Sequence, residues 1–258
     1  MGSVTEAVCS DPMVTVSPQA SEKTKELWYL HGHPHSKRYS DTSLVTLGAL
    51  VRHNAKVYKD DVAVLYPTPT GGDGYSRLSW GGFDQATESV AVLYGRQLKR
   101  ELAESKTSGK QPTVALLGSG TTIEYFITEL ALQKLNVRVL LLAETIALDA
   151  LHHLLNICEV KAIIVGSKSA AAYSGDIRKL ELVEDISHLD QVAEEEVTAM
   201  AFEDDNPWER HSFIMHTSGS TGMPKKVVHT NRSMMLIARM YRLFPDFYSE
   251  NWYLLFPL

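Results

Sequence analysis

The chain has 258 residues, a formal net charge of -6 at pH 7, and 44% hydrophobic and 22% charged residues, a composition typical of a soluble globular protein with a substantial apolar core. The negative charge, without any basic stripe along the sequence, argues against binding to nucleic acid or to acidic membranes. The two cysteines, Cys9 and Cys158, are too few for a disulfide framework and too far apart for a thiolate metal site, which indicates a reducing compartment.

The first residues of the sequence show neither a signal peptide nor a regular element. Residues 1–12 lack a basic region followed by an apolar one, and no stretch reaches the roughly 18 apolar residues of a membrane span, so a cytoplasmic location is expected. Residues 1–27 are rich in Ser, Thr, Glu and Pro without periodicity and are predicted to form a disordered leader. The alternating histidines of His31–His35 lack the cysteine or paired carboxylate that would complete a metal site, so this segment is interpreted as a loop without an assigned function.

Between residues 42 and 111 the apolar pattern predicts helices and a hairpin. Apolar residues recur every three or four positions in the helical segments and alternate with polar ones in the strands. The predicted elements are a helix at Thr42–Asn54, strands at Asp61–Tyr66 and Ser76–Trp80 joined by a turn at Pro67–Gly74, a long helix at Phe83–Ala103 and a polar loop at Glu104–Gln111.

From Pro112 the pattern changes to an alternation of strands and helices. The predicted strands are Thr113–Leu117, Val137–Leu142 and Lys161–Val165, and the predicted helices are Thr121–Leu135 and Ile146–Cys158. Continuous apolar runs are typical of parallel strands buried on both faces, and each connection is long enough for a right-handed βαβ unit. The predicted fold class is therefore α/β, with doubly wound, mostly parallel sheets flanked by helices.

Residues 167–207 lack a regular apolar period and are predicted to be irregular. Their acidic cluster indicates a solvated surface, with a carboxylate metal site as the alternative; its members are Glu194, Glu195, Glu196, Glu203, Asp204 and Asp205. The elements predicted after this region are β-like segments at Ser212–His216 and Val227–Thr230, a helix at Asn231–Phe244 and the start of a further strand at Tyr253–Leu258.

The segment His216–Lys226 concentrates residues that suit phosphate binding. Glycine lets backbone amides turn toward an anion, because it tolerates positive φ and has no side chain to block the approach. Hydroxyl donors come from Ser218, Ser220 and Thr221. Lys225 adds a mobile positive charge, and Pro224 stiffens the exit of the segment. This combination predicts a cradle for a polyphosphate, and the alternative is a solvated Ser/Gly loop without function.

A second glycine motif, Gly118-x-Gly120, follows a predicted strand and invites a dinucleotide-binding interpretation. Glu144 ends the next strand, near the position where a ribose-binding acid belongs. However, Ile123 stands where the third glycine of that motif is required. A tight turn between a strand and a helix is therefore the preferred interpretation.

The order of residues in the predicted cradle points to a known family. Thr217–Lys225 reads Thr-Ser-Gly-Ser-Thr-Gly-Met-Pro-Lys and closely resembles the phosphate-binding signature of adenylate-forming enzymes, the superfamily of acyl-CoA synthetases, luciferases and peptide-synthetase adenylation domains. The chain departs from that signature at Lys226, where the family usually has glycine, and this lysine could either add charge or stiffen the loop. The segment is not a Walker A sequence, because no Gly-x-x-x-x-Gly-Lys-Ser/Thr frame fits it.

Earlier segments extend the resemblance over roughly Trp28–Leu258. Those that are similar to the family, and above all to its peptide-synthetase-like and reductase-type members, are Asp60–Trp80, Ala115–Ser119, Glu129–Leu135 and Val139–Leu142. Asn136 stands where the family usually has a glycine, and asparagine also tolerates the left-handed conformation. The resemblance implies that residues 28–258 form a truncated AMP-binding (adenylation) domain.

The resemblance also implies a reaction and a set of ligands. In this family a carboxylate attacks the α-phosphorus of ATP, an acyl-adenylate forms and pyrophosphate leaves, Mg²⁺ neutralises phosphate charge, and a thiol of CoA or of a carrier protein commonly accepts the acyl group. By resemblance, the pyrophosphate portion of ATP is held by Thr217, Ser218, Gly219, Ser220, Thr221, Gly222 and Lys225. Thr217 would lie near the magnesium, and neither a catalytic residue nor a protein ligand of a metal is assigned.

Several segments that the family carries after its phosphate loop have no counterpart in these residues. They line the acyl pocket, contact adenine and ribose, and supply the lysine that drives adenylation. The chain is therefore expected to be an incomplete part of an adenylate-forming ligase, and the alternative is a catalytically inactive remnant that serves as a nucleotide-binding or interaction module. Such a domain leaves a sheet edge and an apolar face uncovered, so association of the isolated chain is expected.

Overall fold

The structure, a computed structural model, describes residues 44–67, 75–169, 173–203, 205–217 and 222–240, with side chains as far as residue 237. Several predictions fall outside these described residues. They are the leader at 1–27, the loop at His31–His35, most of the hairpin turn at Pro67–Gly74, the last residues of the helix predicted at Asn231–Phe244, and the strand predicted at Tyr253–Leu258.

Strands and helices are numbered in chain order. The described strands are β1 (Val62–Pro67), β2 (Tyr75–Ser79), β3 (Thr113–Gly118), β4 (Arg138–Ala143), β5 (Ala162–Val165), β6 (Arg178–Glu181), β7 (His211–His216) and β8 (Lys226–Thr230). The described helices are α1 (Leu47–Val57), α2 (Trp80–Gln97), α3 (Lys99–Ser108), α4 (Ile123–Lys134), α5 (Leu148–Ile157), α6 (Glu194–Met200) and α7 (Asn231–Met240).

The central sheet of the described part has six strands in the order β6-β5-β3-β4-β7-β8. Neighbouring strands are parallel except for β8, which runs antiparallel to β7. All six residues of β3 are buried, as expected of a central parallel strand that is covered on both faces. The α/β fold class with a mostly parallel sheet flanked by helices is therefore confirmed.

Alternating side chains of the parallel strands feed two separate cores. Val114, Leu116 and Val139 face the layer that contains α2 and α4. Ala115 and Leu117 face the opposite way and pack against α5. Since successive residues of a strand point to opposite faces, a continuous apolar run is needed to build both cores, and this explains why the strands could be recognised from sequence.

The hairpin is close to its predicted position, whereas the first helix, predicted at Thr42–Asn54, runs from Leu47 to Val57. β1 and β2 form a two-stranded antiparallel sheet within one residue of the predicted strands at each end. α1 begins at Leu47, because the side chain of Thr46 caps it by accepting a hydrogen bond of 3.0 Å from the amide of Ala49. Ser79 caps α2 in the same manner, with a distance of 3.2 Å to the amide of Gly82.

The single long helix predicted at Phe83–Ala103 is wrong: the chain forms α2 and α3, separated at Leu98, whose φ of −93° and ψ of 14° depart from helical geometry. The break keeps both Leu98 and Leu102 in the core, at 1% and 4% exposed. The polar loop predicted from Glu104 is also wrong, since α3 continues to Ser108. α3 is held by the buried carboxylate of Glu101, which accepts hydrogen bonds of 3.2 Å from Arg178 of β6.

The irregular region predicted at residues 167–207 contains the strand β6 and the helix α6. β6 lies at the edge of the sheet and buries only Leu180, so its sequence has almost no apolar signal. Two of the three acidic residues of α6 form ion pairs with α1 and α2; the pairs are Glu194 with Arg52 and Lys56, and Glu196 with Arg96.

The described part of the chain contains neither a cluster of metal ligands nor a helix that could span a membrane. No group of three or more His, Cys, Asp or Glu residues within it is arranged to hold a metal ion. Among the same residues, no helix combines the length and the apolar character needed to cross a lipid bilayer.

Candidate phosphate-binding site

The predicted phosphate loop connects β7 to β8 at the carboxyl edge of the parallel strands. His216 ends β7 and pairs with Lys226, the first residue of β8. β7 runs parallel to β4, with Phe213 opposite Val139 and Ile214 opposite Leu140. In open α/β sheets ligands bind outside the carboxyl ends of the strands, so the loop occupies the edge where a ligand site is expected.

The base of the loop is closed by its own backbone. The amide of Thr217 donates a hydrogen bond of 3.0 Å to the carbonyl of Lys225, which continues the ladder of the two strands by one step. Pro224 is buried beneath this closure. Gly222 has a φ of 153°, a conformation that favours glycine, and a Cβ at this position would meet no atom within 4 Å. The glycine is therefore required by the backbone conformation and not by crowding.

The structure describes three of the predicted loop residues, Thr217, Gly222 and Lys225, and brings them together on one exposed segment. The ammonium of Lys225 has neither an ion pair nor a hydrogen bond with any described residue. Ser218, Gly219, Ser220 and Thr221 lie outside the described residues, so their predicted roles stay predictions. The Thr217 hydroxyl and the Lys225 ammonium, which has no partner among the described residues, form a donor set that fits a polyphosphate, and no carboxylate lies between them in the sequence.

Lys226, the departure from the family signature, is directed away from the loop. Its ammonium donates a hydrogen bond of 2.9 Å to the carbonyl of Ile157, the last residue of α5. The carbonyl end of a helix carries partial negative charge and favours a cation. Of the two possibilities left open by the sequence, the structure thus favours an anchor for the exit of the loop. Nothing in the sequence pattern links these residues, which are 69 positions apart.

His216 begins the predicted cradle segment, and the sequence pattern assigns no role to its side chain. Its ring Nδ1 is buried and has no hydrogen-bond partner among the described residues. Its side chain lies on the same face of the hairpin as that of Lys226, because directly paired residues of antiparallel strands point to the same side. A buried polar atom is usually satisfied by a hydrogen bond, so this nitrogen is available to a group bound at the end of β7.

β7 is fixed in place by a buried polar contact with α4. The side-chain amide of Gln133 donates to the carbonyl of Ser212 at 2.8 Å, and the hydroxyl of Ser212 donates back to Gln133 at 2.6 Å. This reciprocal pair sits in the interior, where hydrogen bonds are strong and costly to break. It therefore fixes the position of β7 against the helical layer and, with it, the start of the loop.

The Gly118-x-Gly120 segment forms a tight turn between β3 and α4. A Cβ at Gly118 would lie 3.4 Å from the ring of Tyr125, so there is little room for a larger residue. Thr122 caps α4 by accepting a hydrogen bond of 3.2 Å from the amide of Tyr125. After the helix, Asn136 has a φ of 55°, which confirms the left-handed conformation expected from its alignment with a family glycine.

Solved structures with a similar fold are adenylate-forming enzymes. The structure is similar to a fatty acyl-adenylate ligase from L. pneumophila in complex with acyl adenylate and pyrophosphate (TM-score 0.54, 14% identity, covering 76% of this chain and 31% of that one). It is also similar to a long-chain-fatty-acid-CoA ligase from Archaeoglobus fulgidus (0.56, 19%, 78% and 39%) and to the N-terminal subdomain of Klebsiella oxytoca NpsA (0.52, 16%, 74% and 43%). At these identities the likeness shows a shared fold.

The chain spans between 31% and 43% of the length of these three structures. No curated protein matches the sequence. The family model for the AMP-binding enzymes, by contrast, matches residues 51–258, which is most of the chain and includes the whole of the predicted phosphate loop. The chain therefore belongs to the AMP-binding enzyme family.

Proposed function

We propose that this chain is the phosphate-binding part of an adenylate-forming ligase, which activates a carboxylate with ATP through an acyl-adenylate. The observation that carries the proposal is the Thr217–Lys225 signature, placed at the carboxyl edge of the sheet with the ammonium of Lys225 unpaired among the described residues. The reaction separates pyrophosphate from AMP, so negative charge grows on the leaving group as the bond breaks. A cation and hydroxyl donors held at a strand end can stabilise that charge.

Each loop residue has a distinct proposed task. Lys225 provides a mobile positive charge for the β- and γ-phosphates, while the backbone around Gly222 turns toward them. Ser218, Gly219, Ser220 and Thr221 belong to the same proposed cradle. A Mg²⁺ ion bound with ATP would neutralise phosphate charge, and Thr217 is the hydroxyl proposed to lie near it.

The complete reaction needs groups beyond this loop, and we assign no catalytic residue. Adenine and ribose contacts, the acyl pocket and the lysine that drives adenylation are not assigned to any of the 258 residues. We propose that CoA or a carrier protein provides the thiol acceptor in the complete enzyme. We also propose an adenylation domain at residues 28–258, a leader at 1–27 and a cytoplasmic location, since the two cysteines do not support a disulfide framework.

The test of the proposal is binding of ATP with Mg²⁺ to the 258-residue chain, measured by isothermal titration calorimetry. Saturable binding that Lys225→Ala weakens is the expected result. Absence of any heat and of any thermal shift up to millimolar ATP would remove both the ligase proposal and the nucleotide-binding alternative.

A second assay separates an active part from a remnant. Carboxylate-dependent exchange of labelled pyrophosphate into ATP is measured over a panel of fatty, aryl and amino acids. We expect the chain alone to bind ATP but not to exchange pyrophosphate into it, because the acyl pocket and the lysine that drives adenylation are not assigned to any of its residues. Robust exchange with any of these acids would show that the chain completes adenylation by itself.

A further inference from the structure

A cavity of about 380 Å³ lies at the amino edge of the sheet, opposite the phosphate loop. We call it the amino-edge cavity; the residues of its wall that matter below are Lys110, Gln111, Arg138, Glu159, Arg210 and His211. Arg138 and His211 are the first residues of the neighbouring strands β4 and β7. The size is within the range of small-molecule sites in proteins.

The guanidinium of Arg138 lines this cavity and forms no ion pair with a described residue. Its Nε donates to the hydroxyl of Thr113 at 2.8 Å, and its Nη1 donates to Nδ1 of His211 at 3.2 Å. Both partners are neutral acceptors, and no carboxylate of a described residue lies within 4.0 Å of the group. Burial lowers the pKa of Arg138, as expected when a charge is partly desolvated, and the nearby Cys158 and Glu159 offset part of this shift.

The wall that carries Arg138 is rigidly built. Gln111 accepts a hydrogen bond of 3.1 Å from the amide of His211 and donates to the carbonyls of His211 and Asn136 at 2.6 and 3.0 Å. His211 accepts from Arg138 through Nδ1, which requires the neutral imidazole with its proton on Nε2. Burial, Arg138 and Lys226 lower the pKa of His211, so the ring stays neutral at pH 7 and adds no positive charge beside the Arg138 guanidinium.

Three cationic residues, Lys110, Arg138 and Arg210, and two acidic residues, Glu159 and Glu209, line the cavity. Lys110 is exposed at the rim, and Arg210, 8% exposed, lines the interior. Of the two acids on the wall, Glu209 is engaged in an ion pair of 2.7 Å with Arg232, which leaves Glu159 as the acid without such a partner. Cationic groups in a concave and partly desolvated site favour an anion over a neutral ligand.

We propose that the amino-edge cavity binds a small anion with a carboxylate or phosphate group, to which the unengaged N–H groups of Arg138 donate. A planar guanidinium that lines a cavity and uses only Nε and Nη1 in hydrogen bonds to described side chains keeps N–H groups that match the geometry of either oxyanion. His211 and His216 stand at opposite ends of β7, roughly 17 Å apart along an extended strand, so the cavity and the phosphate loop lie at different edges of the sheet, although the long side chain of Lys226 brings its charge toward His211.

The experiment uses the full chain, with inorganic phosphate and succinate as separate probes and glycerol as the neutral control. Binding is measured by calorimetry, and the imidazole resonances of His211 are followed by NMR in histidine-labelled protein. We expect at least one of the anions to bind and to move the His211 resonances, with glycerol inactive. Whether succinate or phosphate binds shows whether the cavity prefers a carboxylate or a phosphate group. If neither anion binds, the proposal is overturned.

Matched variants separate this cavity from the phosphate loop. Arg138→Gln is expected to weaken binding of the anion by about tenfold or more, as expected from the loss of a charge-assisted contact. Lys110→Gln, an exposed change that leaves the wall intact, is expected to weaken it several-fold. Lys225→Ala is expected to retain it in full.

Unchanged affinity for the anion in Arg138→Gln would overturn the proposal. Binding of the anion that is lost in Lys225→Ala and kept in Arg138→Gln would also overturn it, because the anion would then bind at the phosphate loop. Circular dichroism checks that Arg138→Gln folds. If it does not fold, two milder variants are used: Arg138→Lys, which keeps the positive charge, and Lys110→Gln, which leaves the buried wall untouched. If both variants bind the anion as tightly as the parent chain, the proposal is overturned.

Discussion

Lys226 donates a hydrogen bond of 2.9 Å to the carbonyl of Ile157, whereas the ammonium of Lys225, one position earlier, has no partner among the described residues. Two neighbouring lysines of the same charge thus have different surroundings. One anchors the return strand of the loop on the end of α5, and the other remains available to a ligand. Because the carbonyls at a helix end attract a cation, the charge of Lys226 is already used within the protein.

The difference between these lysines predicts unequal effects on ATP binding. Lys225→Ala is expected to weaken binding of ATP with Mg²⁺ by about tenfold to a hundredfold, since a charge-assisted hydrogen bond contributes about 1.5–3 kcal/mol. Lys226→Ala is expected to change the affinity by less than about threefold, because an exposed contact contributes little. Calorimetric titration of both variants provides the comparison. Equal losses would mean that the alignment of this loop with the family signature is misleading.

A buried cation joins the helices on one face of the sheet. The side chain of Lys134 is 1% exposed, forms a short ion pair with Asp84, and lies 3.4 Å from Glu88. Burial holds the pKa of Lys134 below its usual value, and the neighbouring acids offset part of this lowering. Lys134→Met is expected to cost about 3–5 kcal/mol of unfolding free energy, because the partly buried Asp84 loses its cation and the buried Glu88 keeps only its pair with Arg52. Urea denaturation followed by circular dichroism measures the loss.

Lys56 provides the matched control. Its ammonium lies 2.9 Å from Glu194, but the two side chains are 66% and 39% exposed. Lys56→Met is therefore expected to cost less than about 1 kcal/mol, since exposed ion pairs are weak and screened by salt. A loss for Lys134→Met as small as that for Lys56→Met would show that Asp84 and Glu88 find compensation elsewhere.

The parallel strands could be predicted from sequence because their physical cause is local. A strand covered on both faces must be apolar at every position, and Thr113–Gly118 shows this pattern directly. The break at Leu98 was not predicted, because Gly95, three residues earlier, is a weak signal inside a helical apolar pattern, and both Leu98 and Leu102, on either side of the break, are buried in the core. β6 was missed for the opposite reason, since an edge strand that buries only Leu180 carries no apolar pattern.

For the candidate site as well, the sequence predicts the features that are local in the chain and not those that join distant residues. The phosphate loop could be recognised because its chemistry lies in consecutive residues, Thr217–Lys225. The anchor of Lys226 and the amino-edge cavity join residues far apart in the chain; Arg138 and His211, for example, are 73 positions apart. Contacts of this kind depend on which strands become neighbours, and that order is a property of the whole sheet. No local pattern in the sequence encodes it.

The outer strand of the sheet predicts self-association. β8 ends the described sheet, and Val227 and Val228, on its opposite faces, are 40% and 37% exposed. An apolar edge strand offers unpaired backbone groups to another chain. The isolated chain is therefore expected to form oligomers in a concentration-dependent manner, and Val228→Lys is expected to reduce them. Size-exclusion chromatography with light scattering measures the mass.

Leu65 provides the comparison for this edge, because it is 50% exposed but belongs to the two-stranded sheet. Leu65→Lys is expected to leave the oligomers unchanged. If the parent chain is a monomer at all concentrations, then β8 is not an association surface. If Leu65→Lys reduces the oligomers as much as Val228→Lys does, the effect comes from the added charge and not from the edge.

Glu129 of α4 predicts an unusual dependence of stability on pH. The residue is 5% exposed and has no hydrogen-bond or ion-pair partner among the described residues. Burial raises its pKa from 4.5 to about 8. Below pH 4.5 the carboxyl is protonated in both the folded and unfolded states, whereas between 4.5 and 8 only the unfolded state loses the proton. Stability contributed by the neutral carboxyl is therefore lost as the pH rises through this window.

Glu129→Gln keeps a neutral side chain of similar size and removes this loss. The variant is expected to be more stable than the parent by about 1–4 kcal/mol at pH 9, with the difference shrinking toward pH 5. Glu104→Gln is the control, because that side chain is 63% exposed, and its pH profile is expected to follow the parent. Urea denaturation between pH 5 and pH 9 measures the three profiles. Parallel profiles for Glu129→Gln and the parent would show that the Glu129 carboxyl ionises normally in the folded protein, with water or a polar group reaching it.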